Sequence, residues 1–209
     1  MFEPMVRSSF VLAAAISVAP ILCPSLYPSL YAGQGSRRDA DQMKQKVAAI
    51  ERLGERPDRG EPRRTTVTEN EVNAYLALDG REELPPGVVD PVVSILGTGR
   101  VSGRATVDLD AVRKQKKPTS MLDPASYLMG RVPITATGVF STSNGLGRFQ
   151  LESATVGGVP VPKMMLQEIV SYYSRTPQNP AGINIDDPFP LPARIREIQV
   201  ERGQAVVVQ

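Results

Sequence analysis

The sequence has no histidine, no tryptophan and a single cysteine among its 209 residues. Histidine and cysteine are the usual protein ligands of zinc, haem and iron–sulfur clusters, and many hydrolases use one of them as base or nucleophile. A chain with almost none of either is therefore unsuited to those chemistries. Carboxylate chemistry, lysine or tyrosine chemistry and cations bound through oxygen remain open.

A strong basic excess is also missing. Lysine and arginine number 24 against 22 acidic residues, which gives a net charge of +2. Proteins that bind nucleic acid usually carry a larger and more focused positive excess, so we expect no nucleic-acid partner. A proline-containing segment does cluster Arg56, Arg59, Arg63 and Arg64. Such a run is typical of a solvated linker, and contact with an envelope protein or a membrane surface is the alternative.

The first 32 residues have the pattern of a secretory signal. Arg7 supplies a positive charge, the run 10–22 is apolar, and Ala32 precedes a plausible cleavage point. This run is shorter than the roughly 20 residues that span a membrane, which disfavours an uncleaved anchor. Cys23 follows Leu22, whereas a small residue precedes an acylated cysteine. We expect an exported bacterial protein, periplasmic or associated with the cell envelope, whose mature chain lacks histidine and cysteine.

The remainder of the chain divides into two predicted parts. Residues 33–66 are expected to form a helix, over 39–55, followed by the basic linker. Residues 67–209 are expected to form a single α+β domain. Its first helix is predicted by a capping box, in which the Thr68 hydroxyl bonds the backbone of Glu71 and the Glu71 carboxylate reaches back.

Strand signals dominate the domain after residue 87. Apolar and polar residues alternate over 99–111, which predicts a half-buried strand. An Asn-Gly pair at 144–145 predicts a hairpin, and an Arg-Gly turn at 202–203 predicts another. The predicted fold class is α+β: a twisted antiparallel sheet of two hairpins plus further strands, packed on one amphipathic helix at 163–175.

This amphipathic helix is the candidate wall of a ligand groove. A helix on the concave face of a curved sheet can leave an apolar groove, and methionine is flexible enough to line it. The candidate groove-lining residues are Met164, Met165, Ile169, Val170 and Tyr173. Plain core packing of the helix on the sheet is the alternative interpretation of the same residues.

Acidic residues are the remaining candidates for catalysis. Asp108 and Asp110 stand two apart on a predicted strand and would share a face, where they could bind Ca²⁺ or act as acid and base. The alternation favours the alternative interpretation, in which both belong to the solvent-exposed face of a half-buried strand. A glycan hydrolase could pair Asp108 with Asp186 or Glu152. No serine-hydrolase or phosphate-loop motif is present. We therefore expect no catalytic residue, no metal site, no cofactor and no enzyme activity.

Three segments of the domain carry a resemblance to a known family. They are the helix start at 68–76, the strand pair around 144–145, and the Val-Gly-Gly-Val-Pro-Val-Pro run at 156–162. They resemble the small exported bacterial proteins with a tubular lipid-binding (TULIP-like, BPI-like) fold that are related to the mycobacterial mannan-elongation lipoprotein. The resemblance covers residues 67–209. It implies a long helix in a twisted sheet, with acyl chains between them.

The sequence thus favours a non-catalytic exported envelope protein that binds a lipid or another apolar ligand between a helix and a curved sheet. The alternative is a structural or assembly protein of the cell envelope without a small-molecule ligand. A carboxylate-dependent glycan hydrolase is a third hypothesis.

Overall fold

Two antiparallel sheets with helices packed on them form the part of the chain that the structure, a computed structural model, describes. The described residues are 36–55, 61–85, 87–111, 130–176 and 179–209. The predicted signal segment lies outside them.

The elements follow the predicted α+β class. In chain order they are α1 (Arg37–Gly54), β1 (Arg64–Thr68), α2 (Glu69–Leu78), a 3-10 helix (Gly80–Glu83), β2 (Val88–Gly97), β3 (Arg100–Asp108), β4 (Arg131–Ser143), β5 (Leu146–Val156), β6 (Val159–Pro160), α3 (Lys163–Ser174), β7 (Phe189–Pro190), β8 (Glu197–Glu201) and β9 (Gln204–Val208). The large sheet has the order β2-β3-β4-β5-β6, with β7 also paired to β5, and the small sheet has the order β1-β9-β8. None of the described helices is long and apolar enough to cross a membrane.

Both predicted hairpins are confirmed. Strands β4 and β5 pair in antiparallel register around Asn144 and Gly145, whose φ angles are 51° and 78°. These two residues accept the positive φ that a tight hairpin turn requires. Strands β8 and β9 form the second hairpin, and Gly203 in its turn has a φ of 74°.

Helix α1 packs into the same core as the strands that follow it. Ala40 and Ile50 of this helix are fully buried, and Ile50 belongs to the same core cluster as Phe140 and Phe149. Strand β1 begins at Arg64, inside the predicted linker, and pairs with β9. The segment predicted to precede the domain therefore contributes a helix and a strand end to its packing.

The edge of the large sheet is covered by α2. The Asn73 side chain donates to the Val93 carbonyl at 2.8 Å and accepts from the Val93 N–H at 2.7 Å. The Glu69 carboxylate accepts from the Ile95 N–H at 2.6 Å. Unpaired edge groups would otherwise offer a template to another chain. These side chains therefore take the place of a further strand beside β2.

The small sheet is bonded to the ends of the large one. The Thr142 hydroxyl on β4 accepts from the Ile198 N–H at 2.8 Å and donates to the Ile198 carbonyl at 3.1 Å. The Gly99 N–H, in the β2–β3 turn, donates to the Val200 carbonyl at 3.3 Å. These bonds occupy the outer edge of β8 and fix the small sheet against the hairpin ends of the large sheet.

A buried carboxylate joins α1 to α2. Glu71 is 4% exposed, and the Lys46 ammonium lies 2.6 and 2.8 Å from its two oxygens. The Thr68 N–H also donates to it at 2.8 Å, so the predicted capping box is confirmed. Burial raises the pKa of Glu71, but the donors from Lys46 and Thr68 outweigh it and hold the pKa below its ordinary value.

The Glu71→Gln variant is expected to be less stable at neutral pH. Because the folded-state pKa lies below the unfolded value of about 4.3, the carboxylate stabilises the fold above that pH, and the effect is lost as the pH falls through the folded pKa. We expect a loss of about 2 kcal/mol in the free energy of unfolding at pH 7, typical of hydrogen bonds to a charged group. The loss should shrink toward pH 3. Urea unfolding at both pH values measures it.

The matched control for this variant is Glu168→Gln, because Glu168 is an exposed carboxylate on α3. Its unfolding free energy should stay within about 0.5 kcal/mol of the wild type. An equal loss at pH 7 and pH 3 in Glu71→Gln would contradict the ionic origin of the stabilisation.

Candidate ligand cavity

An apolar, partly enclosed cavity of about 130 Å³ lies between the two sheets. Helices α1 and α2, both sheets and the segment before β8 contribute to its lining. Every lining residue is apolar. The lining residues are Met43, Ile50, Val67, Val72, Val93, Ile95, Val101, Phe140, Leu191, Pro192, Ile195, Ile198, Val200, Ala205 and Val207.

The cavity lies where three hydrophobic clusters meet. Phe140 and Ile195 belong to the largest cluster, Val93 to the second, and Met43 and Val67 to the third. Domains usually have one contiguous core with small satellite clusters. Here all three clusters contribute to the lining of one cavity. The junction between the clusters is therefore incompletely filled.

Empty space of this size has an energetic consequence. Protein interiors contain few voids larger than a water molecule, because packing contacts are lost around each void. At about 24 cal/mol per Å³, a cavity of about 130 Å³ lowers the free energy of unfolding by roughly 3 kcal/mol relative to a filled core. An engineered apolar cavity of about 150 Å³ in another protein stays dry and binds benzene or xenon.

The lining determines what can enter the cavity. None of the lining side chains has a polar atom that could hydrogen-bond a ligand. A polar or charged group placed there would lose its hydration without compensation, at a cost of roughly 2–7 kcal/mol for a neutral polar group. The cavity is therefore suited to hydrocarbon, and a polar part of any ligand would remain outside.

The five candidate groove residues on α3 do not line this cavity. Met164 is 77% exposed and Met165 is 56% exposed. Ile169 is half-buried, and Val170 packs against the largest core cluster. The side chain of Tyr173 lies outside the described part of the structure. A groove under α3 stays a prediction.

A following segment is bonded along α3. The Gln167 side chain accepts from the Ile185 N–H at 2.7 Å, and the Ser174 hydroxyl accepts from the Ile183 N–H at 2.6 Å. Ile185 is buried and belongs to the largest core cluster, against which Leu166 of α3 packs. The inner side of α3 therefore takes part in core packing, as the alternative interpretation of this helix expected.

An exposed apolar patch lies where β6 leads into α3. It consists of Val159, Met164 and Met165, which are 65%, 77% and 56% exposed. We call it the β6–α3 patch.

The expected pairing of Asp108 and Asp110 on one strand is wrong. Strand β3 ends at Asp108, and Asp110 lies in the helical turn that follows. Asp108 accepts from the Ala111 N–H at 3.0 Å and lies 3.5 Å from the Arg131 guanidinium. The Ala111 N–H contributes most to lowering the pKa of Asp108, and Arg131 lowers it further. Asp108 therefore ends the strand and starts the turn.

The other two carboxylates of the hydrolase hypothesis have cations of their own. Glu152 lies 2.6 Å from Arg100, and Asp186 lies 2.5 Å from Lys163. Arg100 and Asp108 stand at opposite ends of β3, so Glu152 and Asp108 do not form a pair. Within the described ranges, no group of three acidic or cysteine residues is placed to hold a metal ion.

No protein-family model matches this chain, and neither does any curated protein or solved structure. The geometry of the cavity is therefore the observation from which a function is inferred.

Proposed function

We propose that this chain is a non-catalytic, exported protein of the bacterial cell envelope that binds a lipid or another apolar ligand. The observation that carries the proposal is the wholly apolar cavity at the junction of the three hydrophobic clusters. An apolar group in that position would supply the packing contacts that the protein's own side chains leave unmade.

The size of the cavity limits how much of a ligand it holds. Pockets that enclose a whole small molecule usually measure roughly 300–1,000 Å³. A cavity of about 130 Å³ accommodates one apolar group, and the rest of a lipid would lie outside it. The resemblance to tubular lipid-binding proteins is consistent with this mode of binding, although it points to a groove beside a helix.

The surroundings of the cavity favour binding over catalysis. Catalytic sites bring together titratable or polar groups around the reacting atoms. The cavity is lined by apolar side chains, and Asp108, Glu152 and Asp186 are each bonded to a different cation. This arrangement supports a ligand held by burial alone.

Filling the cavity with a larger side chain should weaken the binding of an apolar ligand. Val200 lines the cavity, so the larger side chain of Val200→Phe would occupy the space of the ligand. We expect its affinity for a fluorescent fatty acid to fall at least about tenfold, the equivalent of roughly 1.4 kcal/mol. Fluorescence titration of the full-length protein measures the affinity, and mass spectrometry of an organic extract identifies any lipid that co-purifies.

The matched control is Val159→Phe, the same substitution at a residue that is 65% exposed and does not line the cavity. It should bind as the wild type does. Equal binding by both variants would place the ligand elsewhere. A wild type that neither carries lipid nor binds the fatty acid would refute the proposed function.

A structural or assembly role in the envelope is the second candidate function, and the β6–α3 patch is the observation that favours it. Large apolar side chains that are exposed near one another in the chain can mark a protein or membrane contact. Arg63 and Arg64 are also exposed and form no ion pair with another described residue. Arg56 and Arg59 lie outside the described residues. A partner that is an envelope protein or a membrane surface could use both features.

The double variant Met164→Ser, Met165→Ser tests this second candidate. If the β6–α3 patch is a contact surface, the variant should associate at least about tenfold less with isolated envelope membranes, since roughly 1.4 kcal/mol of apolar burial is lost. Its fatty-acid binding should be unchanged. Co-sedimentation measures the association. Leu78→Ser, on the 46% exposed Leu78 of α2, is the control. Unchanged sedimentation of the double variant would exclude the patch as the contact.

A further inference from the structure

The walls of the cavity differ in how easily they can move to accommodate a ligand. Most lining residues lie on the two sheets, whose strands are fixed to one another by antiparallel backbone pairing. The small sheet is also bonded to the large one through Thr142 and Gly99. Moving these walls would break several backbone hydrogen bonds. An adjustment to a ligand is therefore easiest at a side chain.

Met43 on α1 is the one lining residue with an unbranched, flexible side chain. The others are Val, Ile, Leu, Phe, Pro and Ala. Methionine has three side-chain torsions and a polarisable sulfur, so it changes shape within its site more easily than branched residues do. Met43 is 8% exposed and belongs to the cluster of Val67 and Tyr75.

The helix that carries Met43 is held in place by its neighbours. The Lys46 ammonium is bonded to buried Glu71, and the Gln209 side chain donates to the Ile50 carbonyl at 2.9 Å. Ile50, the other α1 residue in the lining, is fully buried and β-branched. With α1 bonded to its neighbours at Lys46 and Ile50, the side chain of Met43 is the part of this wall that can move.

We infer that Met43 determines the size of the apolar group that the cavity accepts. With Met43 in place the space corresponds to a compact, uncharged hydrocarbon group about as large as a benzene ring. Removing its side chain beyond Cβ opens room for a larger group at the same site. This inference rests on the proposed function, because it names the class of group that the cavity binds.

Benzene and naphthalene are the probes that test it, because they differ by one fused ring and carry no charge. The full-length wild type should bind benzene in preference to naphthalene. The Met43→Ala variant should bind naphthalene at least about tenfold more tightly than the wild type, since one methylene in an apolar pocket changes affinity by about 10–200-fold. Ligand-induced rises in Tm and NMR titration give the affinities.

Three further variants make the result specific. Leu78→Ala also truncates a long apolar side chain to alanine, at a 46% exposed residue outside the cavity, and its selectivity should match the wild type. Met43→Leu conserves volume and should keep the wild-type size limit. Met43→Val removes less than alanine does. It should shift selectivity in the same direction, which keeps the inference testable if Met43→Ala does not fold.

The outcomes separate the inference from the proposed function. If the wild type binds benzene and neither Met43→Ala nor Met43→Val gains affinity for naphthalene, Met43 does not set the size limit and the inference is overturned. If the wild type binds neither these probes nor a fatty acid, the proposed function fails and the inference fails with it.

Discussion

The attachment of β8 to the hairpin ends of the large sheet is the constraint on which the interior depends. Because Thr142 and Gly99 bond the backbone of Ile198 and Val200, the small sheet cannot slide over the large one to close the space between their apolar faces. Sheets that pack face to face lie roughly 10 Å apart. Their side chains alone must fill that distance, and here they do not fill it.

The reason lies in the side chains that strands favour. Six of the fifteen lining residues are valines, and Ala205 is smaller still. Valine suits a strand because its β-branched side chain packs well on a pleated surface, but it is short. Longer lining residues such as Phe140 and Ile50 belong to the largest cluster, and the space is left unfilled beside them. Strand propensity and complete filling of the core are therefore in conflict at this junction.

The sequence predicted the local elements better than their assembly. The capping box of Thr68 and Glu71 and the Asn-Gly turn at 144–145 depend on neighbouring residues, so they could be predicted correctly. The alternation in β3 indicated an apolar face that includes Val101, but not which face it would meet. The cavity brings together Met43, Val101 and Val207, which lie on three segments that are far apart in the sequence. No periodicity within one segment contains that information.

Helix α3 shows why the local pattern of apolar residues predicted a ligand groove on a surface other than the cavity. Its methionines stand out in the sequence, yet a helix that follows a sheet can bury one side and leave the other in solvent. Leu166 and Val170 pack on the core while Met164 and Met165 are exposed. The cavity instead uses Met43 of α1, in a segment that seemed to precede the domain. Because Met43 and Ile50 of α1 line the cavity, part of its wall comes from a helix that precedes β1 in the chain.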